Sequence, residues 1–175
     1  MKRDKNVAKR SCMQREENIN FIHELAIVDN DVKIGHMSRI WRFTHVQGGA
    51  TIGSNCSLGQ NVYIGKNVYV GNGCKIQSNV FIPTGVTIEN DVFLGPGATF
   101  TNIKNPDARI DQKGHFLKTT VKSGVSIGAN ATILPGITIG EDAVVGAGSV
   151  VTKDIREGET FIGNPARKFD NRRSK

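Results

Sequence analysis

The side chains with chemical reach are few. They are four histidines (His23, His36, His45, His115), three cysteines (Cys12, Cys56, Cys74) and a set of scattered amides and cations. A histidine titrates near pH 6.5 and is the usual acceptor when an amine or a hydroxyl must lose its proton before attacking. Asn and Gln amides bond hydroxyls and amines alike, which makes Gln60, Gln77, Asn79 and Asn102 candidate ligand contacts. Positive charge lies at the two ends. Residues 1–20 hold six basic and three acidic side chains, and residues 167–175 hold five and one, which accounts for the net charge of +7. A nucleic-acid binder spreads its charge over a folded face, so that class is disfavoured. The terminal charges are either solvated tails or, for Arg167, Lys168, Arg172 and Arg173, a place for the phosphates of a small molecule.

What positions these groups is a repeat. Aliphatic or Phe residues recur every six positions from Val28 through Ile34, Ile40 and onward to Leu94 and Phe100, and again from Val121 to Val151. A second series of small or β-branched residues follows four positions behind, among them Ser38, Thr44, Cys56, Val62, Cys74 and Ala131. Period six fits a short strand with inward residues separated by one outward residue, then a two-residue corner. Asn55, Asn61, Asn67, Gly73, Asn79, Gly85, Gly97, Gly124, Asn130, Gly136 and Gly148 fall where such a corner needs a positive φ. Stacked coils of this kind form an all-β parallel β-helix, stabilised by neighbouring repeats.

The motifs I-G-A-N-A-T-I-L-P-G-I-T-I-G and the closing G-A-G-S-V-V-T-K-D-I with F-I-G-N-P-A-R-K-F resemble the hexapeptide-repeat acyltransferases. The resemblance covers residues 27–167. It implies a left-handed β-helix with three hexads per coil, homotrimerisation, and acetyl-CoA held between subunits. The small corner residues Ala129 and Ala147 would then offer backbone to the pantetheine, and Lys153, Arg167 and Lys168 would meet its phosphates. With residues 18 apart stacked, Cys56 and Cys74 become neighbouring buried thiols that act as small hydrophobes. Cys12 belongs to no disulfide framework. His45 points outward in one column with Tyr63, Phe81 and Thr99.

The organisation expected is a basic extension (1–20), a β-helix domain (21–167) and a basic tail (168–175). Between Phe100 and Val121 the spacing is no multiple of six, so 102–120 is expected to leave the coil as a functional loop. The segment I-W-R-F-T-H-V-Q-G-G-A with V-F-L-G-P-G-A-T-F-T-N resembles the branch acetylating amino groups of nucleotide-linked sugars for surface polysaccharides. It is most similar to the enzymes acting on UDP-2-acetamido-3-amino-2,3-dideoxyglucuronate, with the dTDP-3-amino-3,6-dideoxyhexose enzymes next. Where those enzymes read N-P-R, this chain has Asn105, Pro106 and Asp107, with Arg109 two positions later as the substitute for a carboxylate contact.

Roles remain paired at this stage. His45 is either the base or sugar contact, or interfacial packing, and the departing CoA sulfur is an alternative proton acceptor. Asn79 is a sugar contact or simply a corner asparagine. Asn102, at the break into the loop, is expected to be functional. A zinc hydratase shares the same β-helix, but its ligand spacing is not matched by these histidines, so no metal is expected. The leading expectation is a sugar-nucleotide N-acetyltransferase. The alternatives are O-acetylation of a sugar or serine hydroxyl and a non-catalytic scaffold. No membrane partner is expected, and the charged N-terminus without a following apolar stretch points to the cytoplasm.

Overall fold

The computed structural model describes residues 19–169, so Cys12, Arg172, Arg173 and the charged residues 1–18 lie outside it. Among the described residues there are 22 short strands and no helix. Each hexad contributes a strand of two or three residues, and the strands stack into three parallel faces. Face A begins at Phe21–Ile22, face B at Ile27–Val28 and face C at Lys33–Ile34. The chain visits A, B and C in turn, and each residue pairs with the one 18 further on, as in Ser57↔Lys75↔Phe93. This is the expected parallel β-helix.

The core is the column of inward residues. Ile40, Leu58, Ile76, Leu94 and Ile127 on face A are 0–1% exposed, and so are their counterparts on the other faces. Burying each such side chain contributes about 1.5–3 kcal/mol, and every coil inherits that term from the coil below it. Among the described residues the first coil has no lower neighbour, and its inward Ile22 is 46% exposed. At the other end the chain reverses. Arg167–Lys168 runs antiparallel to Thr160–Ile162, with Phe161 and Ala166 buried beneath. Lys168 therefore belongs to a strand and not to the tail in which the sequence spacing placed it.

The corners need left-handed backbone because two residues must reverse the chain by about a third of a turn. All eleven Asn and Gly positions named above lie at φ between 54° and 97°. Asp91 and Asp142 join them, as do Met37 and Phe43, at 60° and 61°. The last two are bulky side chains in a region that favours Gly or Asn.

Ile88 pairs with Val121, so one coil is lengthened by the loop while the stacking above and below is undisturbed. The coil resumes at Thr119, two residues before the hexad spacing marks it. Thr119 is buried, its amide donates to the Gly85 carbonyl at 3.0 Å, and its hydroxyl accepts the Gly136 amide at 3.0 Å. These bonds recruit 119–120 into the strand Thr119–Val121. Cys56 and Cys74 are free and buried, each thiol donating to a carbonyl of the next coil, Gly71 and Glu89, at 3.0 Å. The adjacent Cys56 sulfur and burial push the Cys74 thiol above its ordinary range, which suits a packing role.

Candidate active site

Face B gathers the chemistry. Its outward column reads Ile27, His45, Tyr63, Phe81 and Thr99. The Tyr63 and Phe81 rings stack at 4.8 Å, and His45 meets Tyr63 edge-on at 5.9 Å. On its other side His45 Nε2 lies 3.7 Å from Asp29 Oδ1. The Asp29 carboxylate is itself held, because Oδ2 accepts the Gly48 amide at 2.8 Å. His45 is thus wedged between a carboxylate and an aromatic edge, half-exposed, with its ring oriented by both. Asp29 carried no signal in the sequence, since the coil stacking that brings it beside His45 is visible only once the fold is known.

Each corner presents one backbone amide per coil, and on the two corners other than the one entering face B a few of these are taken by side chains of a neighbouring coil. At the C-to-A corner the amides of Ser54 and Asn72 are taken by the Asn72 and Asn90 side chains, each at 2.8 Å. At the B-to-C corner Asp29 takes Gly48. The equivalent positions on the A-to-B corner are Arg42, Gln60, Ser78, Pro96, Ala129 and Ala147, and the methyl side chains of Ala129 and Ala147 have no acceptor to offer. Neither alanine's amide donates a hydrogen bond among the described residues, whereas the Ala129 carbonyl accepts Gly148. Two N–H groups one coil apart therefore face outward, as a pantetheine amide carbonyl would require. The preceding residue, Gly128, is forced by the close stacking, since a Cβ there would clash with the Ala147 nitrogen.

Gln60, Gln77 and Asn79 lie on the same A-to-B corner. Asn79 has φ 62° and accepts the Asn61 side-chain amide at 2.8 Å, so its corner duty is evident. Gln60 lines a hollow of about 440 Å3 with Trp41, Arg42, Gly59 and Ser78. No role was read for Trp41 or Arg42 from the sequence, although one tryptophan in a chain poor in aromatics was a usable signal.

Asn102 stands on the opposite, B-to-C corner. Its side-chain amide donates to the Thr84 carbonyl at 3.0 Å and its own carbonyl accepts Leu117, so it clamps the loop base. The loop and the corner enclose a groove of about 680 Å3 lined by Ile103, Pro106, Leu117, Leu134, Pro135 and Lys153. Arg109 pairs with Asp107, through Nε–Oδ1 at 2.9 Å and Nη2–Oδ2 at 2.7 Å, and remains exposed. At the C-terminal end Lys153, Arg156 and Lys168 border a hollow of about 520 Å3. Lys168 is paired with Glu159 at 3.0 Å, and it holds the Glu159 carboxyl below the usual range. The Lys153 ammonium sits 5.8 Å from the Phe161 ring centroid. Arg167 is exposed and donates to the Ala166 carbonyl. In one protomer, then, the alanines lie on the A-to-B corner, Lys153 on the B-to-C corner, and Arg167 and Lys168 on the closing strand of face A. The described residues hold no group of three His, Cys, Asp or Glu arranged for a metal, and no helix long and apolar enough to cross a membrane.

The repeated hexads, the extruded loop and the closing motif define the bacterial transferase hexapeptide (six repeats) family, whose model matches residues 31–66, 67–102 and 118–153. The chain belongs to that family, with its left-handed β-helix. Within it, a dTDP-3-amino-3,6-dideoxy-alpha-D-galactopyranose 3-N-acetyltransferase from Aneurinibacillus thermoaerophilus is 51% identical over 147 residues, 84% of this chain and 76% of its own. PerB from Caulobacter crescentus, solved with CoA and GDP-perosamine, shares the fold at a TM-score of 0.57 and 21% identity, over 93% of this chain and 64% of that one. A variant of AntD, an N-acyltransferase from Bacillus cereus solved with dTDP and coenzyme A, does so at 0.53 and 22%, over 92% and 88%.

Proposed function

We propose that the protein is an acetyl-CoA-dependent N-acetyltransferase acting on a nucleotide-linked amino sugar. It works as a homotrimer whose sites lie between subunits, in the cytoplasm, where buried thiols stay reduced. The observation that carries this reading is the A-to-B corner, where Ala129 and Ala147 leave their amides unpaired among the described residues and without a side chain to cover them, on the edge of the face that carries His45 four and five coils below. In a trimer, one subunit's A-to-B corner can face a neighbour's B-to-C corner, which would reunite the alanines with Lys153 and the loop. The amine attacks the thioester carbonyl, the tetrahedral intermediate collapses, and the CoA thiolate leaves. The amine's proton passes to His45 or to the departing sulfur. Binding both substrates in line supplies much of the rate.

For the acceptor we favour a dTDP-linked 3-amino-3,6-dideoxyhexose over the UDP-linked 3-amino glucuronate. The relative at 51% identity acts on a dTDP-3-amino sugar. A uronate would also need a cation, and Arg109 already has Asp107 as a partner. The test is free-CoA release with acetyl-CoA and a panel of dTDP- and UDP-linked 3- and 4-amino sugars, the glucuronate included, each beside its hydroxyl counterpart. Release with a dTDP-linked 3-amino sugar and none with its hydroxyl analogue is the expected result. Release only with hydroxyl acceptors would replace N-transfer by O-transfer, and silence from a CoA-binding trimer would leave a scaffold.

A further inference from the structure

We infer that the hollow at the lower end of the A-to-B corner is a nucleoside diphosphate subsite, in which Trp41 stacks the base and Arg42 neutralises the diphosphate. The inference rests on the proposed reaction and assigns the end of the molecule at which the nucleotide is read. Trp41 is 42% exposed, and its ring is backed by Phe21 with centroids 5.2 Å apart, which leaves indole surface open beside the hollow. Arg42 follows directly, is exposed, and takes part in none of the ion pairs among the described residues. Gln60 adds an amide able to match the donor and acceptor edge of a pyrimidine, and Ser78 a hydroxyl. Gly59 forms the floor, where a Cβ would meet the Ser78 nitrogen at 2.7 Å.

An aromatic platform, a guanidinium and an amide within a hollow of about 440 Å3 are the groups by which a base with its phosphates is held. The cations at the C-terminal end are poorer candidates, because Lys168 is already spent on Glu159. The alanine amides sit higher on this same edge. The nucleotide would therefore enter from the first coils and acetyl-CoA from the last.

Trp41 is the single tryptophan of the chain, so its fluorescence reports on this hollow alone. The experiment titrates dTDP, UDP, CoA and inorganic pyrophosphate separately into the full-length protein without acetyl-CoA, with calorimetry in parallel. Saturable quenching by dTDP or UDP is expected, with thymidine binding more weakly and Arg42→Gln weakening dTDP about tenfold while leaving thymidine unchanged. Trp41→Leu should weaken dTDP by a similar factor in the calorimeter. Calorimetric binding of dTDP with no change in fluorescence, no binding by either readout, indifference to Arg42→Gln, or quenching by CoA alone would each overturn the assignment. Turnover of a dTDP-amino sugar without quenching would sink the subsite and keep the transferase. Quenching without turnover of any amino sugar would do the reverse.

Discussion

Asp107 grips the guanidinium of Arg109 at two points, Oδ1 on Nε and Oδ2 on Nη2, and Oδ1 also accepts the Arg109 amide at 2.9 Å. The arginine holds the Asp107 carboxyl below the usual carboxylate range. A sugar carboxylate would have to compete with Asp107 for the Nε and Nη2 donors. Asp107→Asn leaves the turn in place and frees the guanidinium. The ratio of kcat/KM for a uronate acceptor over its neutral analogue should rise several-fold in this variant, measured by CoA release. An unchanged ratio would place Arg109 away from the acceptor.

Glu89 accepts Lys122 Nζ at 2.7 Å and both the amide and hydroxyl of Ser123, joining the coils on either side of the insertion. Chiefly through the Lys122 bond, its carboxyl is held below the usual range. A depressed folded-state pKa contributes stability that is fully present above the unfolded value near 4.5 and is lost as pH falls through the folded value. Glu89→Gln should therefore cost about 1 kcal/mol at pH 7. The difference from the parent should shrink in thermal melts carried below pH 4, and a constant difference at every pH would contradict it.

Phe43 sits at φ 61° and is 60% exposed, while Asn61 and Asn79 hold the same corner position one and two coils on. A side chain branched by a ring is strained there by about 1 kcal/mol relative to Asn. Phe43→Asn should raise Tm by roughly 3 °C in a chain of this size. A fall in Tm would mean that Phe43 is covered in the assembled protein.

His45→Ala removes the group between Asp29 and Tyr63 without opening the core. With the imidazole as acceptor of the amine's proton, kcat falls about a hundredfold while CoA affinity is unchanged. Retention of most of the rate would hand the proton to the CoA sulfur and leave His45 as packing.

The coil was legible because a period of six survives any choice of side chain that respects inward and outward, and Asn or Gly announces a corner. Met37 and Phe43 escaped, since neither residue type signals positive φ. The start of the strand at Thr119 depended on bonds to Gly85 and Gly136, which are distant in sequence. Asn102 looked like a free amide, but Thr84, 18 residues earlier, claims it. His45 was found as an outward residue, yet its partner Asp29 lies on the neighbouring coil. Sites on a solenoid are assembled across coils and corners, so linear spacing reports the scaffold more fully than it reports who bonds to whom.

The insertion leaves the ladder intact on both sides: Thr87 pairs with Thr120, and Phe93 with Ser126, as though the intervening residues were absent. The scaffold thus behaves as a ruler and the loop as a cassette clipped onto it at Asn102 and Thr119. The cassette's length and composition can change without shifting the register of the coils it leaves and rejoins. The length of the loop and the register of the coils are written in separate stretches of this chain.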